Sequence, residues 1–166
     1  MRIQQLMPVL VFAVATACAT LPIPTSGSTS GSTSGGGSVV LDVVRFTNDA
    51  RARNGLAPLA ASSKLMAAAD IQARQMAEFR TVQHTISGAQ YPTLQSRLQA
   101  VDYAYSNAAE NAAWNQPDAQ SVVAGWMSST GHRANILDAN LREIGAAMAR
   151  SAKGEPYWVQ VFGTPR

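Results

Sequence analysis

The stretch IGAAMARSAKGEPYWVQVFG, residues 144–163, decides the fold. Ile144, Ala146 and Met148 alternate with Gly145, Ala147 and Ala149, and Tyr157, Val159 and Val161 alternate with Trp158, Gln160 and Phe162. A two-residue period is the signature of a β-strand. Lys153-Gly154-Glu155-Pro156 between the two runs is turn chemistry, so the strands are expected to pair as an antiparallel hairpin.

Upstream, the period changes to that of a helix. Val39, Val40, Val43, Phe46, Thr47 and Ala50 recur at three- and four-residue spacing until Gly55 supplies a stop, which predicts a first helix to about Asn54. Ser62 or Ser63 can cap a second helix, whose Leu65, Ala69, Ala73 and Met76 form one apolar stripe ending before His84. A weaker helix is expected over 93–101, and a strand within 103–114 around Ala109-Glu110-Asn111. Asp118 caps a further helix with Val122, Val123, Trp126 and Met127 on one face, and Gly131 is expected to break it. Helices first and paired strands last argue for an α+β domain, helices flanking a central antiparallel sheet.

The 166 residues leave room for one domain plus a targeting segment. Hydrophobic residues make up 46% and charged residues 14%, enough apolar material for a core. The formal charge is only +3, and no run of Lys and Arg interleaves with aromatics, so no nucleic-acid partner is expected. A single cysteine excludes an internal disulfide framework.

That cysteine, Cys18, follows Leu6–Ala17, an apolar run too short to span a bilayer and preceded by a positive start at Arg2. Residues 1–17 read as an export signal. Ala15-Thr16-Ala17-Cys18 resembles the lipobox of bacterial lipoproteins, with Ala15 where leucine is preferred; the same small residues also suit ordinary cleavage. Lipidation of Cys18 is the expectation, which makes the membrane a partner and the location extracytoplasmic. Residues 18–38 are dominated by Ser, Gly and Thr, with SGST repeated, and read as a flexible tether. About 20 residues of such coil span roughly 25 Å. The folded domain is then expected over 39–166.

Six ordered motifs carry a family resemblance: NDARARNGLAPL (48–59), QARQMAEFRTVQHT (72–85), AEN (109–111), VVAGWMSSTGHRANIL (122–137), IGAAM (144–148) and YWVQVFG (157–163). Together they resemble the bacterial branch of the CAP superfamily, the SCP domain of cysteine-rich secretory proteins, antigen 5 and pathogenesis-related proteins. The resemblance implies a three-layer α-β-α sandwich with a groove holding two histidines and two acids, which bind a divalent cation in some members. Carried over motif by motif, these are His84, Glu110 and His132, with Ser129 standing where the second acid is expected.

Read without the family, two imidazoles and one carboxylate are the ligand set of many zinc sites, so a divalent cation such as zinc, on His84 and His132, is one reading. The other is a hydrogen-bonded network closing one end of the domain. His84 after the second helix, Glu110 on a strand and His132 in the turn after the Trp126 helix are expected to converge, with Ser129 beside them. Arg51 and Arg133 are each expected to pair with a carboxylate, Arg133 being the better ligand-binding candidate. Asn111 is expected to satisfy backbone groups at a turn and Asn135 to fix its helix. Trp126, Tyr157 and Trp158 read as core rather than as a groove lining.

Two functions are weighed. One is a non-catalytic module holding a lipid, a sterol-like molecule or an envelope component; lipid binding is implied by eukaryotic relatives of the resembled family. The other is a hydrolase in which His132 acts as base towards Ser128 or Ser129, or a metal on the two histidines activates water. The binding reading leads, because a serine three residues from a histidine need not face it.

Overall fold

A computed structural model of the protein describes residues 34–166, with side chains from Gly37 onward. The expected signal segment 1–17, Cys18 and the tether as far as residue 33 lie outside the described residues. The elements are α1 (Ser34–Arg53), β1 (Ala60–Ala61), α2 (Ser63–Phe79), α3 (Leu94–Ala100), β2 (Tyr105–Trp114), α4 (Ala119–Ser128), α5 (Thr130–Ile136), β3 (Glu143–Arg150) and β4 (Pro156–Pro165). α1 therefore starts at Ser34, five residues before the point at which its apolar register begins.

The sheet runs β1-β3-β4-β2. β4 is central and pairs antiparallel with β2 on one side and β3 on the other. The three long strands form the expected antiparallel sheet, and the two-residue β1 adds a parallel pairing to Glu143 and Ile144 of β3. Asn48 of α1 holds that short strand in place, accepting from Leu59 N at 2.8 Å and donating to Leu59 O at 3.0 Å.

Alternation along β4 sorts the core into two layers. Trp158 and Phe162 meet Val43 and Ala50 of α1, Val122 and Trp126 of α4 and Ile136 of α5. Tyr157, Val159 and Val161 meet Leu65, Ala69, Ala73 and Met76 of α2 and Leu98 of α3. Both faces are covered, so this strand reads as a nearly continuous apolar run. Trp126, Tyr157 and Trp158 are 2%, 3% and 2% exposed, which makes all three core residues.

Three local features depart from the sequence reading. The helix carrying Trp126 ends at Ser128 because Ser129 is extended (φ −99°, ψ 125°) and turns the chain into α5. Gly131 breaks nothing and lies inside α5, which also makes His132 a helical residue rather than part of a turn. Ser62 occupies the N-cap of α2 without a side-chain capping bond, whereas Asp118 caps α4 by accepting from Ser121 N at 2.8 Å.

Gly145 explains how closely α2 lies on the sheet. A Cβ at this position would lie 2.1 Å from the backbone of Leu65 and Met66 in the first turn of α2, far inside contact distance. Gly145→Ala must push the helix away, so a loss at or above the upper end of ~1–3 kcal/mol is expected in urea denaturation. Stability unchanged within ~0.5 kcal/mol would mean that α2 rides farther from β3.

Candidate functional site

β2 is an edge strand, and the candidate site is built around its middle. Ala108 and Ala112 belong to the α2/α3 layer and Ala109 and Ala113 to the α1/α4/α5 layer, so Glu110 and Asn111 between them point to opposite faces. Each recruits its own set of partners.

On the α2/α3 face the Glu110 carboxylate is 2% exposed and has both oxygens engaged. His84 Nδ1 bonds Oε1 at 2.9 Å, and Arg97 Nη2 donates to Oε2 at 2.8 Å. Arg97 comes from α3 and is fully buried, while the His84 imidazole remains 58% exposed. Arg97 also fastens the loop that carries His84, donating from Nη2 to His84 O at 3.3 Å and from Nη1 to Tyr91 O at 3.2 Å. Gln72 of α2 donates to Gln83 O at 2.6 Å, and Gln75 closes a two-bond ring with the Tyr91 backbone at 3.0 Å each. Three buried polar side chains, Arg97, Gln72 and Gln75, thus clamp one loop, satisfying backbone groups that a loop over a core would otherwise leave orphaned.

On the other face Asn111 donates to His132 O at 3.1 Å and to Gln160 Oε1 at 3.2 Å. Asn135 of α5 donates to Asn111 Oδ1 at 2.9 Å and to Glu110 O at 3.2 Å. Asn111 therefore works within a strand rather than at a turn, joining the sheet to α5. Gln160 continues the chain to the Thr47 hydroxyl of α1.

The two histidines are shifted in opposite directions. The hydrogen bond to Glu110 raises His84 above its ordinary value, against the opposing effect of burial. Burial lowers His132, and the charge of His84 lowers it further, so the two imidazoles sense each other across the β2 edge. The fold accordingly favours protonated His84, a contribution present below the ordinary ~6.5 and lost as pH rises through the raised value. It favours neutral His132, a contribution present above that value and lost as pH falls through the lowered one.

Ser129 lies at the joint between α4 and α5, three residues before His132, and makes no capping bond. No hydrogen bond joins it to His84, Glu110 or His132 among the described residues. Ser128 Oγ donates back to Ala124 O at 3.0 Å. The expected arginine pairings take other forms. Arg133 donates to the amide oxygen of Asn54 at 3.3 Å, and Arg51, 2% exposed, donates to the carbonyls of Ala57, Ile136 and Asp138 at 2.8–2.9 Å. The last carbonyls of a helix have no internal partner, and a buried guanidinium with five donors supplies them.

A divalent cation finds a poor fit. Glu110 has both oxygens committed, one of them to a buried guanidinium whose charge opposes a second cation. Among the described residues no group of three or more His, Cys, Asp or Glu can hold a metal. His84 and His132 alone would supply two of the four positions that zinc requires.

Arg97 is the residue that sequence reasoning missed. The signal was present: Leu94, Arg97, Leu98 and Val101 follow the i, i+3, i+4, i+7 pattern, which puts a charge on the apolar side of a short helix. Gln72 sits in the same way within the apolar stripe of α2. A charged or amide side chain on a buried face needs a buried partner.

A family model described as CAP, Cysteine-rich secretory protein family, matches residues 44–162. Among curated proteins, "Uncharacterized protein YkwD" of Bacillus subtilis (strain 168) is 33% identical over 123 residues, covering 72% of this chain and 45% of that protein. The chain thus spans less than half the length of this relative. An extracellular protein containing a SCP domain from Bacillus anthracis str. Ames superposes with a TM-score of 0.69 at 24% identity, over 77% of this chain and 41% of that one. An outer surface protein from Borrelia burgdorferi gives 0.67 at 22% identity, over 75% and 90%. At these identities the structural likenesses establish the fold alone.

Proposed function

The chain belongs to the CAP family of cysteine-rich secretory proteins, and on that premise we propose that it is an extracytoplasmic, membrane-tethered module that binds a lipid or other envelope ligand without transforming it. The single observation that carries this reading is the state of Glu110. A carboxylate with one oxygen on His84 and the other on a fully buried Arg97 is an internal counter-ion, not a base waiting for a proton. What the pair presents outward is the half-exposed His84 ring, held by Glu110 through its Nδ1.

Hydrolysis would need a nucleophile within ~2.6–3.2 Å of a base that a third group orients. Ser128 is spent on Ala124 O, and Ser129 has no bond to His132. The neighbours called an extracellular protein and an outer surface protein support a location outside the cytoplasm. No described helix is long and apolar enough to cross a membrane, and in this reading the attachment is the lipid on Cys18.

The binding claim is tested by titrating the protein with dansyl-undecanoic acid and with phosphatidylglycerol vesicles, alongside peptide and ester substrates. Saturable binding that weakens at least tenfold in the His84→Ala, His132→Ala double variant, without product, is the expected result. Turnover that disappears in His132→Ala would instead establish a hydrolase. Cys18→Ser should move the protein from the membrane to the soluble fraction with its far-UV spectrum unchanged; mass spectrometry showing a mature chain that begins after Cys18 would remove the anchor.

A further inference from the structure

A buried polar chain crosses the apolar layer between α1 and the sheet. Thr47 of α1, Gln160 of β4 and Asn111 of β2 are each 0% exposed, in a layer otherwise built from residues such as Val43, Ala50, Val122 and Phe162. A hydroxyl or an amide in such surroundings is costly unless it finds a partner. The links run from Thr47 to Gln160, from Gln160 to Asn111, and from Asn111 to Asn135 of α5.

The sense of every link is set by groups that can act in one way only. Thr47 Oγ1 has a single hydrogen, and it goes to Val43 O at 2.7 Å, because a carbonyl can only accept. Toward Gln160 the hydroxyl is therefore an acceptor, which turns the Gln160 NH2 to α1 and its Oε1 to β2. Asn111 must then donate to Gln160. Its Nδ2 does so at 3.2 Å, and the second hydrogen goes to His132 O at 3.1 Å. That leaves Asn111 Oδ1 to accept from Asn135 Nδ2 at 2.9 Å, while the other Asn135 hydrogen goes to Glu110 O at 3.2 Å.

Packing alone does not call for this hydroxyl. Val43, Thr47 and Ala50 share the buried side of α1, and a valine at position 47 would fill the same space and continue the apolar register. Nor does the start of the chain reach the site itself: among the described residues no hydrogen bond joins Thr47 or Gln160 to His84, Glu110 or His132. What the two residues reach is Asn111, whose bonds to His132 O and to Asn135 fasten α5 to β2.

We infer that Thr47 and Gln160 are positioning residues of the candidate site: the Thr47 hydroxyl orients the Gln160 amide, Gln160 orients Asn111, and Asn111 with Asn135 holds α5, and so His132, against the strand that carries Glu110. Buried polar chains of this kind act as a unit, so a break at the α1 end is felt at the α5 end. The inference rests on the reading of His84 and His132 as the ligand-facing pair. His84 is placed from the other face of β2, by the Glu110 carboxylate, and a break in the chain leaves it where it is.

The test follows the purified protein by proton and nitrogen-15 NMR and by titration with dansyl-undecanoic acid. Thr47→Val removes the hydroxyl at nearly constant volume. The side-chain NH2 signals of Asn111 and Asn135 and the ring Cε1–H signal of His132 should shift, hydrogen exchange of the Asn111 NH2 should accelerate at least tenfold, and the probe should bind at least threefold more weakly. The His84 ring signal should stay in place. Thr47→Ser keeps the hydroxyl and should restore every readout. Gln160→Met breaks the chain one link further on and should reproduce Thr47→Val, which it replaces should the valine variant fail to fold. Val159→Ala, in the layer on the other face of the sheet, also weakens packing and should leave the Asn135 and His132 signals in place. Unshifted Asn135 and His132 signals in Thr47→Val, a Thr47→Ser variant indistinguishable from it, or equal shifts in Val159→Ala would each overturn the proposal. A parent protein that does not bind the probe removes the binding reading, and the NMR signals then decide the positioning role by themselves.

Discussion

Glu110→Ala is expected to destabilise the domain by ~3–5 kcal/mol, because it leaves the guanidinium of Arg97 buried without a counter-ion. The pair is 0% and 2% exposed, so solvent screening offers little relief. The same substitution frees His84, which loses the partner of its Nδ1, while Gln72, Gln75 and Arg97 still hold the backbone of its loop. Denaturant midpoints at constant m-value measure the loss. Replacing both partners, as Glu110→Leu with Arg97→Met, should recover much of it, since apolar residues of similar volume often substitute for a buried ion pair at little cost. A loss under ~1 kcal/mol in the single variant would show that Arg97 reaches water or another acceptor.

Trp126→Ala should cost a similar ~3–5 kcal/mol, the range for deleting a large aromatic side chain from a packed core. The ring joins α4 to both α1 and the sheet, and its Nε1 closes the outward carbonyl of Ala112. Trp126→Phe separates the two contributions, since it keeps most of the packing and removes only the hydrogen bond, worth ~0.5–1.5 kcal/mol. If Trp126→Ala leaves stability within ~1 kcal/mol of the parent, the ring faces a groove and not the core.

Much of the fold was legible because its periods were clean. Leu65, Ala69, Ala73 and Met76 gave α2 its stripe, and the alternation on either side of Lys153–Glu155 gave the β3–β4 hairpin, whose loop turns at Gly154 with a φ of +80°. The split between α4 and α5 was hidden because its cause is one extended serine. Gly131, the residue with the stronger breaker reputation, is tolerated one residue into a helix, where backbone constraints are weakest. Nor does any periodicity announce β1, whose two residues pair with β3 next to a Leu59 that Asn48 pins.

The candidate site divides along the same line. His84 and Glu110 stand in recognisable motifs, and the structure joins them directly. What those motifs lack is the third member: Arg97 lies 13 residues from each in sequence, on the separate helix α3, and the pairing arises from tertiary packing. Arg133 stays exposed and meets only the side chain of Asn54, whereas Arg51 failed for the complementary reason. A sequence shows an arginine's charge but not the orphaned carbonyls of a nearby helix end, and these are stronger claimants for a buried guanidinium than a distant carboxylate.

Glu110 is central to the site as the internal counter-ion of His84 and Arg97, which leaves two inequivalent imidazoles to face the ligand. Nitrogen-15 NMR titration of the two histidines tests this directly. His84 is predicted to titrate above ~6.5 and His132 below it, with Glu110→Gln lowering His84 and so reducing or abolishing the separation. A His84 midpoint at or below ~6.5 in the parent protein, unmoved by Glu110→Gln, would contradict the arrangement.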